Sequence, residues 1–106
     1  MADLDFDLTV AREFGATRVS LRGELDLATA PRLEHALAEA GDGVLLDLRG
    51  LTFMDSTGVR VLLEAAERGG GLRIVPPAGG DARVTIDQSG IGPLLPLVHD
   101  DRAQPR

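Results

Sequence analysis

Residues Val44–Leu48 read Val-Leu-Leu-Asp-Leu, a nearly continuous apolar run. Such a run suits an inner strand of a parallel sheet, covered on both faces, and a parallel neighbour can be reached only through a crossover, usually a helix. A short loop then leads to Asp55-Ser56-Thr57-Gly58 at the head of an amphipathic segment. In that segment, Thr57 to Arg68, the apolar residues Val59, Leu62, Leu63 and Ala66 recur at helical spacing. Glu64 and Arg68 are placed to pair along its wet face, and Gly69 ends it.

The remaining elements follow from the same requirement. Phe6–Arg12 and Thr17–Arg22 alternate apolar and polar residues, and Glu13 to Ala16 offers a turn between them, so the two pair as a hairpin. Gly23 to Leu27 then leaves the sheet. Ala28 to Ala40 reads as a helix with Leu33, Ala36, Leu37 and Ala40 on one face, Pro31 in its first turn and Asp26 or Thr29 as cap. Gly41 to Gly43 ends it. Leu72–Val75 is the next strand, followed by a loop at Pro76–Gly80.

Asp81–Gln88 has strand propensity at Val84-Thr85-Ile86, but the crossover it must supply favours a helix. Leu94–Val98 adds a last short strand at an edge, where Pro96 is permitted, and the polar tail 99–106 frays. The expected fold class is α/β. Its sheet is mixed but mostly parallel, of about four to five strands with an N-terminal hairpin, and about three to four helices pack against it.

Composition excludes several kinds of chemistry. The 106 residues suffice for one domain that buries about 60–70% of its unfolded surface. With only Phe6, Phe14 and Phe53 as aromatics, the core must be aliphatic. A net charge of −6 repels nucleic acid and anionic membranes. The chain has no Cys and no Lys, so disulfides, thiolate metal sites, a Schiff base and a phosphate-loop lysine are all out. No cofactor or metal is called for. No apolar run approaches a membrane span and no leader opens the chain, which makes the cytoplasm the expected location.

Ser56 is the residue to watch. Its hydroxyl is either a helix N-cap, accepting an amide hydrogen bond worth about 1 kcal/mol, or a modifiable group. A phosphate there would meet free amides and the positive end of the helix dipole, so the fold would accept it. A docked acidic surface would not, because like charges forced together cost several kcal/mol. Thr57, nearer the first helical turn, is the second choice of acceptor. Asp55 reads as a capping or loop-bracing group rather than a catalytic base.

Glu24 and Asp26 form an acidic pair that complements the first helix; Asp26 lies near Ser56 if the loops after parallel strands gather at one sheet end. His35 and His99 read as surface residues. Gly69–Gly71 and Gly79-Gly80 lack phosphate-loop spacing, and no Gly-x-Ser-x-Gly elbow exists. No catalytic residue is assigned and no enzymatic activity is expected.

These residues resemble a known family. Gly23-Glu24-Leu25-Asp26, the Ala/Leu helix, Leu46 to Gly58 and later Ser89-Gly90-Ile91 look like the STAS domain, and in particular the bacterial anti-sigma factor antagonists. The similarity covers roughly residues 4–98, so residues 1–106 read as a single STAS domain with a core of about 4–98. The resemblance implies a STAS-like mixed sheet and a partner-switching role. In such a role the unphosphorylated protein binds an anti-sigma factor that is also an ATP-dependent serine kinase, and a sigma factor is freed. Phosphorylation at the position of Ser56 then releases it, and a phosphatase resets the switch.

By position, Asp26, Asp55, Thr57 and Gly58 join Ser56 in the partner-binding surface. ATP would be held by the partner. Family members close with a further amphipathic helix, for which only His99–Arg106 remains, so that helix is expected to be short or missing. The alternative role is a STAS subunit or regulatory module of a transport or sensory assembly.

Overall fold

Strands Phe6–Glu13 (β1) and Ala16–Leu25 (β2) pair antiparallel from Phe6↔Gly23 to Glu13↔Ala16. The computed structural model to which they belong describes residues 6–98. Their two-residue turn places Phe14 (φ 52°) and Gly15 (φ 81°) both in the left-handed region, the backbone of a type I′ turn that matches strand twist. Helix Ala30–Ala40 (α1) follows, then strand Val44–Met54 (β3), helix Ser56–Arg68 (α2), strand Arg73–Val75 (β4) and helix Gly80–Ser89 (α3). A 3-10 turn at Gly92–Leu94 closes the described elements. The sheet has four strands in the order β1-β2-β3-β4, with β2, β3 and β4 parallel. Among the described residues, no helix is long and apolar enough to cross a membrane.

Two strands outrun their sequence pattern. β3 continues past Leu48 through the expected loop to Met54, and β2 continues past Arg22 to Leu25 instead of leaving the sheet. The reason is visible in their register. Ser20↔Asp47 is followed by Arg22↔Gly50, and Gly23↔Leu51 by Glu24↔Phe53. Each step inserts one extra residue in β3, so its buried side chains fall at Leu48, Leu51 and Met54, every third position rather than every second.

The helices show smaller corrections. α1 starts two residues later than expected and buries Ala30, Leu33, Ala36 and Leu37, with Pro31 in its first turn. In α2 the fully buried stripe is Gly58, Val61, Leu62 and Ala65, displaced by about one residue from the expected one; Val59, Leu63 and Ala66 are only partly covered. Glu64 pairs not with Arg68 but with Arg60, at 3.1 Å, and Arg60 also reaches Glu34 of α1 at 3.8 Å. The ambiguous segment is a helix, α3, which sends Ala82 and Ile86 into the core. The expected last strand reduces to a single parallel bridge between Ile74 and Leu97, because Gly92–Leu94 is spent on the 3-10 turn. The expected frayed tail and His99 lie outside the described residues.

The core is aliphatic, as composition required. Val19, Leu21, Leu25, Leu46, Leu48 and Met54 of the sheet meet Leu33, Leu37, Val61 and Leu62 of the helices, and Phe6 is the one buried aromatic. Among the described residues one charged side chain is also buried. Asp47, 6% exposed, accepts hydrogen bonds from Arg18 Nη2 (2.8 Å), Arg49 Nη2 (2.7 Å), Arg49 Nε (3.0 Å) and the Arg49 amide (3.0 Å). Burial alone would raise its pKa, but the Arg49 hydrogen bonds and the charges of Arg49 and Arg18 outweigh it and hold the carboxyl below its ordinary value.

Candidate functional site

Leu25 and Met54 are register partners on adjacent parallel strands, so the segments that follow them, beginning at Asp26 and Asp55, emerge at the same end of the sheet. The Asp55 amide donates to the Leu25 carbonyl at 3.2 Å and joins the two exits. This places Asp26 on the same rim as Ser56, as its position after a parallel strand suggested.

Asp55, not Ser56, is the N-cap of α2. It has extended backbone (φ −102°, ψ −170°), and its Oδ1 accepts from the amides of Thr57 (2.9 Å) and Gly58 (3.2 Å). Asp, Ser and Thr all serve as caps; the choice falls to Asp55 because pairing with β2 holds its predecessor, Met54, in the sheet. Ser56 is therefore the first helical residue and is exposed, and its hydroxyl has no hydrogen-bond partner among the described residues. Thr57 stands second in the helix rather than first and is half-buried.

Gly58 is the residue that lets this helix start so close to the sheet. A Cβ there would run into Met54 Cγ and lie 3.1 Å from Leu25 Cδ2. The motif thus divides its work: Asp55 caps, Ser56 faces out, Thr57 is half covered, and Gly58 packs against Met54 and Leu25.

The neighbouring loop is tied down by its own side chains. Asp26 Oδ1 accepts from the amides of Ala28 (3.0 Å) and Thr29 (3.1 Å). The Thr29 hydroxyl accepts from the Asp26 amide (2.9 Å) and donates to the Glu24 carbonyl (2.9 Å). Neither Asp26 nor Thr29 caps α1 through its side chain in the expected way; the Thr29 oxygen is used backwards, against the loop. Glu24 itself is half-buried beside Phe53 in the register.

Three features of this rim escaped the motif analysis. Leu27 is 74% exposed on the loop after β2, and Phe53 is 38% exposed two residues before Asp55. The Thr85 hydroxyl of α3 donates to the Met54 carbonyl at 3.2 Å, which braces the residue before the cap. A Phe in a chain with three aromatics was a signal for the second; the third needed the fold. His35 is exposed on α1, and among the described residues no cluster of three metal-ligating side chains occurs.

Residues 8–80, more than half of the chain, match the family described as MlaB, STAS domain. The chain belongs to the STAS domain family. Among curated proteins this STAS chain is 34% identical over 65 residues to anti-sigma-F factor antagonist RsfB of Mycobacterium tuberculosis, from both strain CDC 1551 / Oshkosh and strain ATCC 25618 / H37Rv. The matched stretch is 58% of this chain and 53% of that protein, so the chain spans about half the length of the curated relatives it matches.

Among solved structures, an anti-sigma factor antagonist from Mycobacterium paratuberculosis superposes with a TM-score of 0.79 at 27% identity, covering 92% of this chain and 89% of that one. The anti-sigma factor antagonist SpoIIAA in its unphosphorylated form superposes with a TM-score of 0.69 at 20% identity, over 92% of each chain, a likeness of fold. The STAS architecture expected from the resemblance is the one observed: one antiparallel pair, a parallel remainder, and helices packed on it.

Proposed function

We propose that this STAS chain is an anti-sigma factor antagonist whose switch is phosphorylation of Ser56. The observation that carries the reading is the division of labour at the head of α2. Because Asp55 supplies the cap, the Ser56 hydroxyl is exposed and free of that duty. Similarity to proteins named as anti-sigma factor antagonists supplies the class of partner.

In this reading the unphosphorylated chain binds an anti-sigma factor that is also a serine kinase. The contact uses the rim of Asp26, Asp55, Ser56, Thr57 and Gly58, with exposed Leu27 and Phe53 adding apolar area. The kinase holds ATP, and the Ser56 oxygen attacks its γ-phosphorus. The bond to the ADP leaving group breaks, and the hydroxyl proton passes to a base on the kinase. This chain contributes the nucleophilic hydroxyl and needs no cofactor of its own. A phosphate ester on Ser56 sits at the positive end of α2, so the fold tolerates it. Asp26 and Asp55 stand on the same rim, and adding about two negative charges beside them turns an acidic surface into one that the partner rejects. A phosphatase returns the hydroxyl.

The test is phosphotransfer from the candidate kinase with ATP, followed by mapping of the modified residue by mass spectrometry. Modification is expected on Ser56 and is lost in Ser56→Ala. Ser56→Glu is expected to weaken kinase binding about tenfold or more, about 1.4 kcal/mol, with the melting curve retained. Binding that ignores Ser56→Glu overturns the mechanism.

A further inference from the structure

Ser20, Arg22 and Asp47 sit on the face of the sheet turned away from the helices. Val19 and Leu21 of β2, with Leu46 and Leu48 of β3, pack into the helix-covered core, and alternation along a strand sends the residues beside them the other way. At this level β3 carries its first bulge: Ser20↔Asp47 is followed by Arg22↔Gly50, which leaves one extra residue in β3. Bulges re-aim side chains. Around this one lies an open cavity of about 390 Å³, lined by Ser20, Leu21, Arg22, Asp47, Arg49 and Gly50.

Two donors in the cavity have nothing to donate to. Arg22 is exposed and makes no side-chain hydrogen bond or ion pair among the described residues, although its register partner on β1 is Asp7. Its stem leans the other way, onto β3: a Cβ at Gly50 would stand 2.7 Å from Arg22 Cγ, so the glycine leaves the room that the stem uses. The half-buried Ser20 hydroxyl is likewise without a hydrogen-bond partner among the described residues. A third wall is a fixed charge. Arg49 grips Asp47 through Nε (3.0 Å) and Nη2 (2.7 Å), and Arg18 Nη2 donates to the same carboxylate at 2.8 Å. One carboxylate between two guanidinium groups leaves the cluster positive before Arg22 is counted.

We propose that this cavity binds a small oxyanion, a phosphate or carboxylate group, held by the Arg22 guanidinium and the Ser20 hydroxyl with Arg49 as the flanking charge. These groups select that ligand. Arginine is a donor only, its planar fork matches carboxylate and phosphate oxygens, and a serine hydroxyl adds one more donor. A cation would meet guanidinium groups on two sides. The chain as a whole carries a net charge of −6, so its overall field does not gather anions, and direct hydrogen bonds must retain one here. The cavity lies across the sheet from α2 and does not depend on the reading of Ser56.

An NMR titration of the isotope-labelled full chain tests the proposal, with sodium phosphate or sodium acetate compared against sodium chloride at matched ionic strength. Saturable shifts are expected at the amides of Ser20, Arg22 and Gly50 with phosphate, acetate or both, and the anion that binds names the group. Arg22→Gln is expected to weaken binding about tenfold or more, the scale of a charged hydrogen bond, and Ser20→Ala about threefold. Circular dichroism melts of both variants are expected to match the parent, since neither side chain has a partner to lose among the described residues. Shifts no larger than those produced by chloride overturn the site. So does saturable binding that Arg22→Gln leaves unchanged, or that moves amides at the head of α2 and not those of β2, because the anion is then held elsewhere.

Discussion

The Asp55 amide donates to the Leu25 carbonyl at 3.2 Å, so the head of α2 and the loop carrying Asp26 are fastened to each other and not only to the sheet. Asp55 thereby makes four backbone contacts: this one, those its carboxylate accepts from Thr57 and Gly58, and the one its carbonyl accepts from the Val59 amide at 3.1 Å.

Asp55→Ala is expected to lower stability by about 1 kcal/mol in urea unfolding, the usual value of a cap. Ser56→Ala, with an exposed side chain that caps nothing, is expected to change it by less than about 0.5 kcal/mol. The reverse order of effects would return the cap to Ser56.

Gly58→Ala places a methyl against Met54 Cγ and beside Leu25 Cδ2. The expected cost is about 1–3 kcal/mol of stability, the scale of overpacking. Met54→Ala in the same chain opens room for that methyl, so the double variant is expected to lose less than the sum of the singles, which a double-mutant cycle measures.

Acid should find Asp47. Its carboxyl titrates below the ordinary value of 3.8 in the folded chain, held there by Arg49 and Arg18. The stability it confers is fully present above the unfolded-state value and is lost as pH falls through the lower folded one. Thermal melts from neutral pH downward are expected to drop steeply below about pH 4. Asp47→Asn flattens that limb and costs about 1–3 kcal/mol at neutral pH. An acid limb unchanged by the substitution refutes the assignment.

Phe14 is 95% exposed and left-handed at φ 52°, a backbone region that a bulky side chain occupies at a cost. Phe14→Asn creates the Asn-Gly pair that type I′ turns prefer. The expected gain is about 0.5–1 kcal/mol, read from the shift in urea midpoint.

Where the local pattern and the tertiary environment agree, the sequence is easily read. The β1–β2 hairpin, the apolar face of α1 and the inner strand at Val44–Leu48 follow from periodicity alone. The far half of β3 does not. Its two extra residues change the spacing of buried side chains from two to three, which on paper looks like a loop. The ion cluster was equally hidden, since Arg18 and Asp47 lie 29 residues apart and meet only once β2 and β3 are aligned.

At the site, the sequence marked out Asp-Ser-Thr-Gly but could not rank three adjacent capping residues. That ranking depends on Met54 being held in the sheet, a long-range fact. The stripe of α2 moved for a related reason: close packing of Gly58 on Met54 turns the helix so that Val61 and Ala65, rather than Leu63 and Ala66, face inward.

The loop between β2 and α1 is stitched shut by Asp26 and Thr29 before anything approaches it. A visiting surface has no floppy segment there to immobilise, and little ordering entropy is forfeited on that side of the contact. For the partner proposed above, this loop asks for no rearrangement before docking, which leaves diffusional encounter and charge to set its side of the association rate.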